Sequence, residues 1–86
     1  KTPKEIQQEL SARERSLRKK QKMTLQQLAD ASGVSLGSVK RFESSGEISL
    51  QSMIKIAIAL GCEDDFSAIF AKNIPMSIEE IINGEI

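Results

Sequence analysis

Residues 24–43 read Thr24-Leu25-Gln26-Gln27-Leu28-Ala29-Asp30-Ala31-Ser32-Gly33-Val34-Ser35-Leu36-Gly37-Ser38-Val39-Lys40-Arg41-Phe42-Glu43. Thr24 stands three residues ahead of Gln27, the spacing at which a hydroxyl and a side-chain amide satisfy each other's free backbone N–H groups at a helix start. Gly33 occupies the place where a helix ends on a left-handed residue, and Ser35 offers an oxygen to cap a new helix running to about Ser44, stopped by Ser45-Gly46. Two short helices joined by so tight a turn form the helix-turn-helix arrangement.

The flanks extend the helical pattern. Upstream, Thr2-Pro3-Lys4-Glu5 is a capping box with proline at the first helical position, and Ile6, Leu10 and Leu17 fall on one stripe of a helix carried by good helix formers to about Lys22. Downstream, Ser49 caps a fourth helix from Leu50 to Leu60, closed by Gly61. A fifth is expected from Asp65 to Ala71, broken at Asn73-Ile74-Pro75, and Ser77-Ile78-Glu79-Glu80 opens a last turn or two ended by Asn83-Gly84. No period-two strand pattern, internal repeat or low-complexity tract occurs. The expectation is an all-α chain: five helices over residues 1–71, with a short helical extension over 72–86.

Composition removes several function classes. The 86 residues contain no His, no Trp, no Tyr and one Cys, so there is no imidazole base, no Ser/His or Cys/His pair, no His-containing zinc site and no intramolecular disulfide. With no phosphate-binding glycine loop or metal-ligand cluster either, neither an enzyme nor a cofactor is expected. No apolar run approaches the roughly 20 residues needed to cross a bilayer, and Lys1-Thr2-Pro3-Lys4-Glu5-Ile6 is unlike the hydrophobic region of a signal peptide. A cytoplasmic chain with no membrane contact is expected. Twelve basic and twelve acidic side chains give a formal net charge of zero, which at first argues against a nucleic-acid partner. The balance is uneven along the chain. Residues 1–61 hold eleven basic and six acidic groups, whereas residues 62–86 hold one and six, a basic body followed by an acidic tail.

Helical geometry locates a face for that basic charge. With Leu36 at 0° and about 100° per residue, Val39 and Phe42 fall near 300° and 240° and mark the core side. Lys40, Ser44, Gly37 and Arg41 fall at about 40°, 80°, 100° and 140°, on the opposite side. A narrow cationic face with two small residues suits the DNA major groove. Arg41 can donate a bidentate pair to guanine, Lys40 can reach guanine or phosphate, and Ser35 and Ser38 lie in the first turn, within reach of phosphate or base edges.

Leu17-Arg18, Met23 to Ala29, Ala31 to Ser35, Val39 to Glu43 and Leu50 through Ile56 to Gly61 together resemble the lambda-repressor-like, or XRE-type, helix-turn-helix family over residues 17–61. The resemblance implies a five-helix bundle that binds double-stranded DNA, as a homodimer on a pseudo-palindromic operator, and regulates transcription, as a repressor. It implies core positions at Leu28, Ala29, Val34, Val39, Phe42, Ile56 and Leu60, and a partly buried Arg18–Glu43 salt bridge. The base-reading set becomes Ser38, Lys40 and Arg41 with Leu36 and Gly37, and the backbone-contacting set Thr24, Gln26, Ser35, Ser44, Lys19, Lys20 and Lys22. Two departures stand out. Leu25 replaces the glutamine with which many relatives contact phosphate, and Leu36-Gly37 replace polar base-reading side chains.

The C-terminal third is apolar and acidic. The fourth helix lacks a clear polar face, with Ile54, Ile56 and Ile58 beside Leu50, Met53, Ala57 and Leu60, and is expected to be buried on more than one side. Ile58, Phe66, Ile69, Phe70, Ile78, Ile81 and Ile82 supply a surface that would cover it, within one chain or across a dimer. Glu63-Asp64-Asp65 is explained by the helix dipole, and Cys62 is expected to be a buried packing group. Phe66 to Phe70, followed by Pro75 and Ser77 to Ile81, is similar to the tails of HipB-like antitoxins. That gives the alternative function: binding of a toxin partner, with DNA autoregulation secondary.

Overall fold

Each of the four α-helices delimited among the described residues begins on a side-chain cap. In the computed structural model, which describes residues 1–72 together with residues 78, 82 and 84, α1 spans Pro3–Lys20, α2 Leu25–Ser32, α3 Leu36–Ser45 and α4 Leu50–Leu60, followed by a 3₁₀ helix at Glu63–Ala68. Thr2 and Thr24 form the reciprocal capping boxes expected of them: the Glu5 and Gln27 amides donate to the threonine hydroxyls at 3.1 and 3.0 Å, and the two side chains accept the threonine N–H groups at 2.9 and 2.8 Å. Ser35 and Ser49 accept from the amides of Ser38 and Ser52. Gly33, Gly46 and Gly61 close α2, α3 and α4 in the left-handed conformation.

The fold is all-helical, and the described residues contain no strand. α2 packs on both α3 and α4, α1 lies along α3, and the 3₁₀ helix rests on α4. Leu28, Ala29, Val34, Val39, Phe42, Ile56 and Leu60 make one buried cluster, the set the family resemblance implied. Leu17, Met23, Leu25, Leu36, Ile48, Met53, Ala59 and Cys62 pack around it half-buried. Full burial of each large apolar side chain contributes about 1.5–3 kcal/mol.

Four local expectations are corrected. α1 stops at Lys20, short of Lys22, because the chain turns back there: Lys22 adopts φ +60° and the amide of Met23 donates to the Arg18 carbonyl at 3.1 Å. Of its apolar stripe only Leu17 packs against the core. Ile6 and Leu10 remain 47% and 36% exposed while Ser11 and Arg18 are buried, since α1 meets α3 through Gln7, Ser11, Glu14 and Arg18, a polar stripe at helical spacing. The fifth helix starts at Glu63 and ends at Ala68 in 3₁₀ geometry, the Asp65 amide donating to the Cys62 carbonyl at 3.1 Å and Phe70 turning the chain at φ +65°. Cys62 is half-buried rather than buried.

α4 is also buried on one side only. Ile56, Ala57 and Leu60 face the core, whereas Leu50 and Ile58 are 65% and 58% exposed. Among the described residues of this single chain, Phe66 is half-buried and Ile69, Phe70, Ile78 and Ile82 are exposed, so they do not cover α4 within the chain. The capping box at Ser77 and Glu80, the break at Asn73 to Pro75 and the contact position Ile81 lie outside the described residues.

Candidate nucleic-acid interface

The turn between α2 and α3 holds the second helix across the first. Gly33, at φ +75°, donates its amide to the Ala29 carbonyl at 2.9 Å, and the hydroxyl of Ser32 accepts from the amide of Val34. Val34 is then buried, and Ser35 starts α3. α3 presents the two faces its angular positions require: Val39, Phe42 and Glu43 are buried, while Gly37, Lys40, Arg41 and Ser44 are exposed.

The cations of that exposed face divide between two grooves. Lys40 and Ser44 line a groove of about 330 Å³ together with Arg15, Arg18, Lys19, Leu25 and Glu43, between α1 and α3. Arg41 and Ser38 line another of about 280 Å³ with Glu47, Ile48, Ser49 and Ser52, toward the start of α4. Neither Lys40 nor Arg41 forms an ion pair among the described residues.

Several of the remaining expected contact residues are held by their neighbours. Leu36 is half-buried against the core, and the Ser38 hydroxyl accepts from that of Ser35 at 2.9 Å. Gln26 donates to Asp30 at 2.9 Å, and Ser44 donates to the Arg41 carbonyl at 3.2 Å. Lys20 and Lys22 are exposed around the end of α1, outside both grooves.

A charged clasp holds α3 against α1. Arg18 donates through Nε and Nη2 to the two carboxylate oxygens of Glu43 at 2.7 and 2.9 Å, and through Nη1 to the Met23 carbonyl at 2.8 Å. Arg15 donates to the Glu43 carbonyl at 2.8 Å, with its Nε 3.7 Å from the Glu43 carboxylate. Burial raises the Glu43 carboxyl, but the Arg18 hydrogen bonds, with help from Glu14, outweigh it and hold Glu43 below its ordinary value.

Glu14 completes the clasp and is the residue that sequence reasoning missed. Both its carboxyl oxygens are buried with no hydrogen-bond partner. Burial first, and then the neighbouring Glu43, push it up to about 8. A carboxylate cannot donate to another carboxylate, so a proton held on Glu14 supplies the missing donor toward Glu43. The signal for Glu14 is its place on the Gln7, Ser11, Glu14, Arg18 spacing, which becomes visible only once α1 is known to pack through polar groups. Beyond the clasp, Gln21 donates to the Leu60 carbonyl at 2.8 Å and ties α1 to α4.

With this geometry in place, the model of a family described as helix-turn-helix matches residues 15–66, from the clasp end of α1 through the 3₁₀ helix. No curated protein and no solved structure matches the chain.

Proposed function

This chain belongs to the XRE-type helix-turn-helix family of DNA-binding transcription regulators, and from that premise we propose that it is a repressor binding a pseudo-palindromic operator as a homodimer. α3 enters the major groove, Arg41 reads guanine with its two-pronged donor set, and Ser38 works beside it. The observation that carries this reading is the segregation of α3. Four exposed positions, Gly37, Lys40, Arg41 and Ser44, lie opposite a buried Val39, Phe42 and Glu43, so the helix offers a donor-rich face on a fixed base. Gly37 and Ser44 keep that face low enough for close approach.

Selection of bound duplexes from a random DNA pool tests it, with the mass of the complex measured by sedimentation. The expected result is a two-fold-symmetric site with half-sites about one helical turn apart, occupied by two chains. Arg41→Ala then weakens binding to the selected site. Unchanged affinity for that site at fixed salt refutes the assignment of Arg41.

The exposed apolar residues Leu50, Ile58, Ile69 and Phe70 favour a protein partner as well, because they group apolar surface on α4 and the segment after it that is exposed among the described residues. The dimer reading places a second copy there. The antitoxin reading places a toxin there, and a chain that remains monomeric alone but co-purifies with the product of a neighbouring gene supports it over the dimer.

A further inference from the structure

Among the described residues, Glu47 is the one acid lining the groove of Arg41. The backbone that carries it is fixed on both sides. Before it, the Ser45 hydroxyl donates to the Arg41 carbonyl at 2.7 Å and accepts from the Glu47 amide at 3.2 Å, and Gly46 lies so close to α1 that a Cβ there would stand 2.9 Å from the Gln7 backbone. After it, Ile48 packs against the core and Ser49 caps α4. Glu47 is exposed and, like Arg41, forms no ion pair among the described residues. A guanidinium and a carboxylate thus share one groove without neutralising each other. A phosphate entering it is attracted by the first and repelled by the second, so the groove suits the DNA backbone poorly. Its complement is a surface that sets acceptors beside a donor. The major-groove edge of a G·C pair does so, with guanine O6 and N7 as acceptors and the cytosine N4 amino group as donor.

We propose that Glu47 is a specificity-determining residue: its carboxylate accepts from a cytosine N4 amino group beside the guanine read by Arg41, and it repels DNA that brings no donor there. The acid lowers affinity for every duplex, and only a correctly placed amino group offsets that cost, so its contribution is to the difference between sequences rather than to binding itself. The fixed turn matters because a carboxylate on a loose loop would swing away from a wrong base at little cost. This proposal rests on the reading of the chain as a DNA-binding regulator with Arg41 in the major groove.

The test measures binding of the full chain, at fixed salt, to its selected duplex, to a panel in which each base pair of a half-site is replaced in turn, and to an unrelated duplex of equal length. For the unmodified chain, replacing one particular cytosine is expected to lower affinity roughly fivefold, the low end for a base contact. Glu47→Ala should lose that preference and bind the unrelated duplex more tightly, so that the ratio between selected and unrelated duplexes falls. Glu47→Gln, whose amide both accepts and donates, should relax the same position. A Glu47→Ala variant with unchanged base preferences overturns the proposal, as does a gain in affinity by the same factor for both duplexes, which would be repulsion alone. A lowered melting temperature with the preferences intact overturns it too, since the carboxylate would then serve only the dipole at the start of α4. Failure of the unmodified chain to bind any duplex from the pool overturns instead the DNA-binding reading on which the role of Glu47 rests.

Discussion

α3 is held from two sides by opposite kinds of chemistry. Toward α2 and α4 it buries Val39 and Phe42, 0% and 2% exposed, in an apolar cluster with Leu28 and Ile56. Toward α1 it buries Glu43 against Arg18 and Glu14, while Gly46, its left-handed terminus, closes on Gln7. The apolar side draws on area removed from water, which is additive and indifferent to pH. The polar side depends on geometry and protonation. A shift that an apolar contact would absorb leaves a charge unpaired there. α3 thus combines an apolar contact that removes area from water with a polar one that fixes its position.

The comparison is broken most severely from the apolar side. Phe42→Ala removes a nearly fully buried ring and is expected to cost about 3–5 kcal/mol. For a chain of this size that is a large fraction of total stability, and a urea titration should show the midpoint falling sharply.

On the polar side, Glu43→Ala strands Arg18 and should cost about 3 kcal/mol, the low end for a broken buried pair because Arg18 keeps its bond to the Met23 carbonyl. The double variant Arg18→Met with Glu43→Leu is expected to recover most of that loss. A double variant no more stable than Glu43→Ala would show that the seam does not tolerate an apolar replacement.

Glycine substitutions sharpen the contrast further. Gly46 and Gly33 have similar left-handed φ values, +82° and +75°, but a Cβ on Gly46 would lie 2.9 Å from the Gln7 backbone, whereas one on Gly33 meets nothing within 4 Å. Gly33→Ala should cost about 1 kcal/mol for backbone strain alone, and Gly46→Ala about 2 kcal/mol or more. The difference between their denaturation midpoints isolates the closeness of α1 to α3.

The smallest effect is a change in the pH profile. Glu14 has its folded value raised from 4.5 to about 8. Its contribution to stability is full below pH 4.5, declines as the unfolded state loses its proton, and is gone above about pH 8. Glu43, held below its ordinary value, acts in the opposite sense, and its contribution disappears as the pH falls through its folded value. Arg15, Arg18, Glu43 and Cys62 are the other titratable or charged groups around Glu14. Glu14→Gln, which keeps a donor in place without a charge, should melt higher than the unmodified chain at about pH 8 and show a flatter decline from about pH 5 to 8. Parallel melting profiles for the two chains would refute a folding-linked proton on Glu14.

The same division explains which parts of the fold are legible in the sequence. Caps depend on a few residues at fixed offsets, so Thr24 with Gln27, Ser35, Ser49 and the glycines at 33, 46 and 61 mark α2, α3 and α4 closely. Apolar spacing identifies the faces of α3. It misleads on the first half of α1: Leu17 reaches the core, but Ile6 and Leu10 follow the expected stripe and remain exposed, while Ser11 and Arg18 go inside. The Arg18–Glu43 pair is legible only through the family resemblance. For the candidate site, angular positions separate Lys40 from Arg41 by about 100°, but they do not say what stands on either side. The packing of α1 supplies Arg15 and Lys19 to one groove, and the loop before α4 supplies Glu47 and Ile48 to the other.

α2, α3 and α4 are 8, 10 and 11 residues long, below the length at which an isolated helix persists in water. The face bearing Lys40 and Arg41 consequently exists only while the core is assembled. Ligand capture and global folding form a single thermodynamic cycle: a duplex bound only by the folded chain raises the melting temperature in proportion to the logarithm of its excess over Kd. Every core residue thereby becomes, at one remove, a determinant of occupancy on DNA.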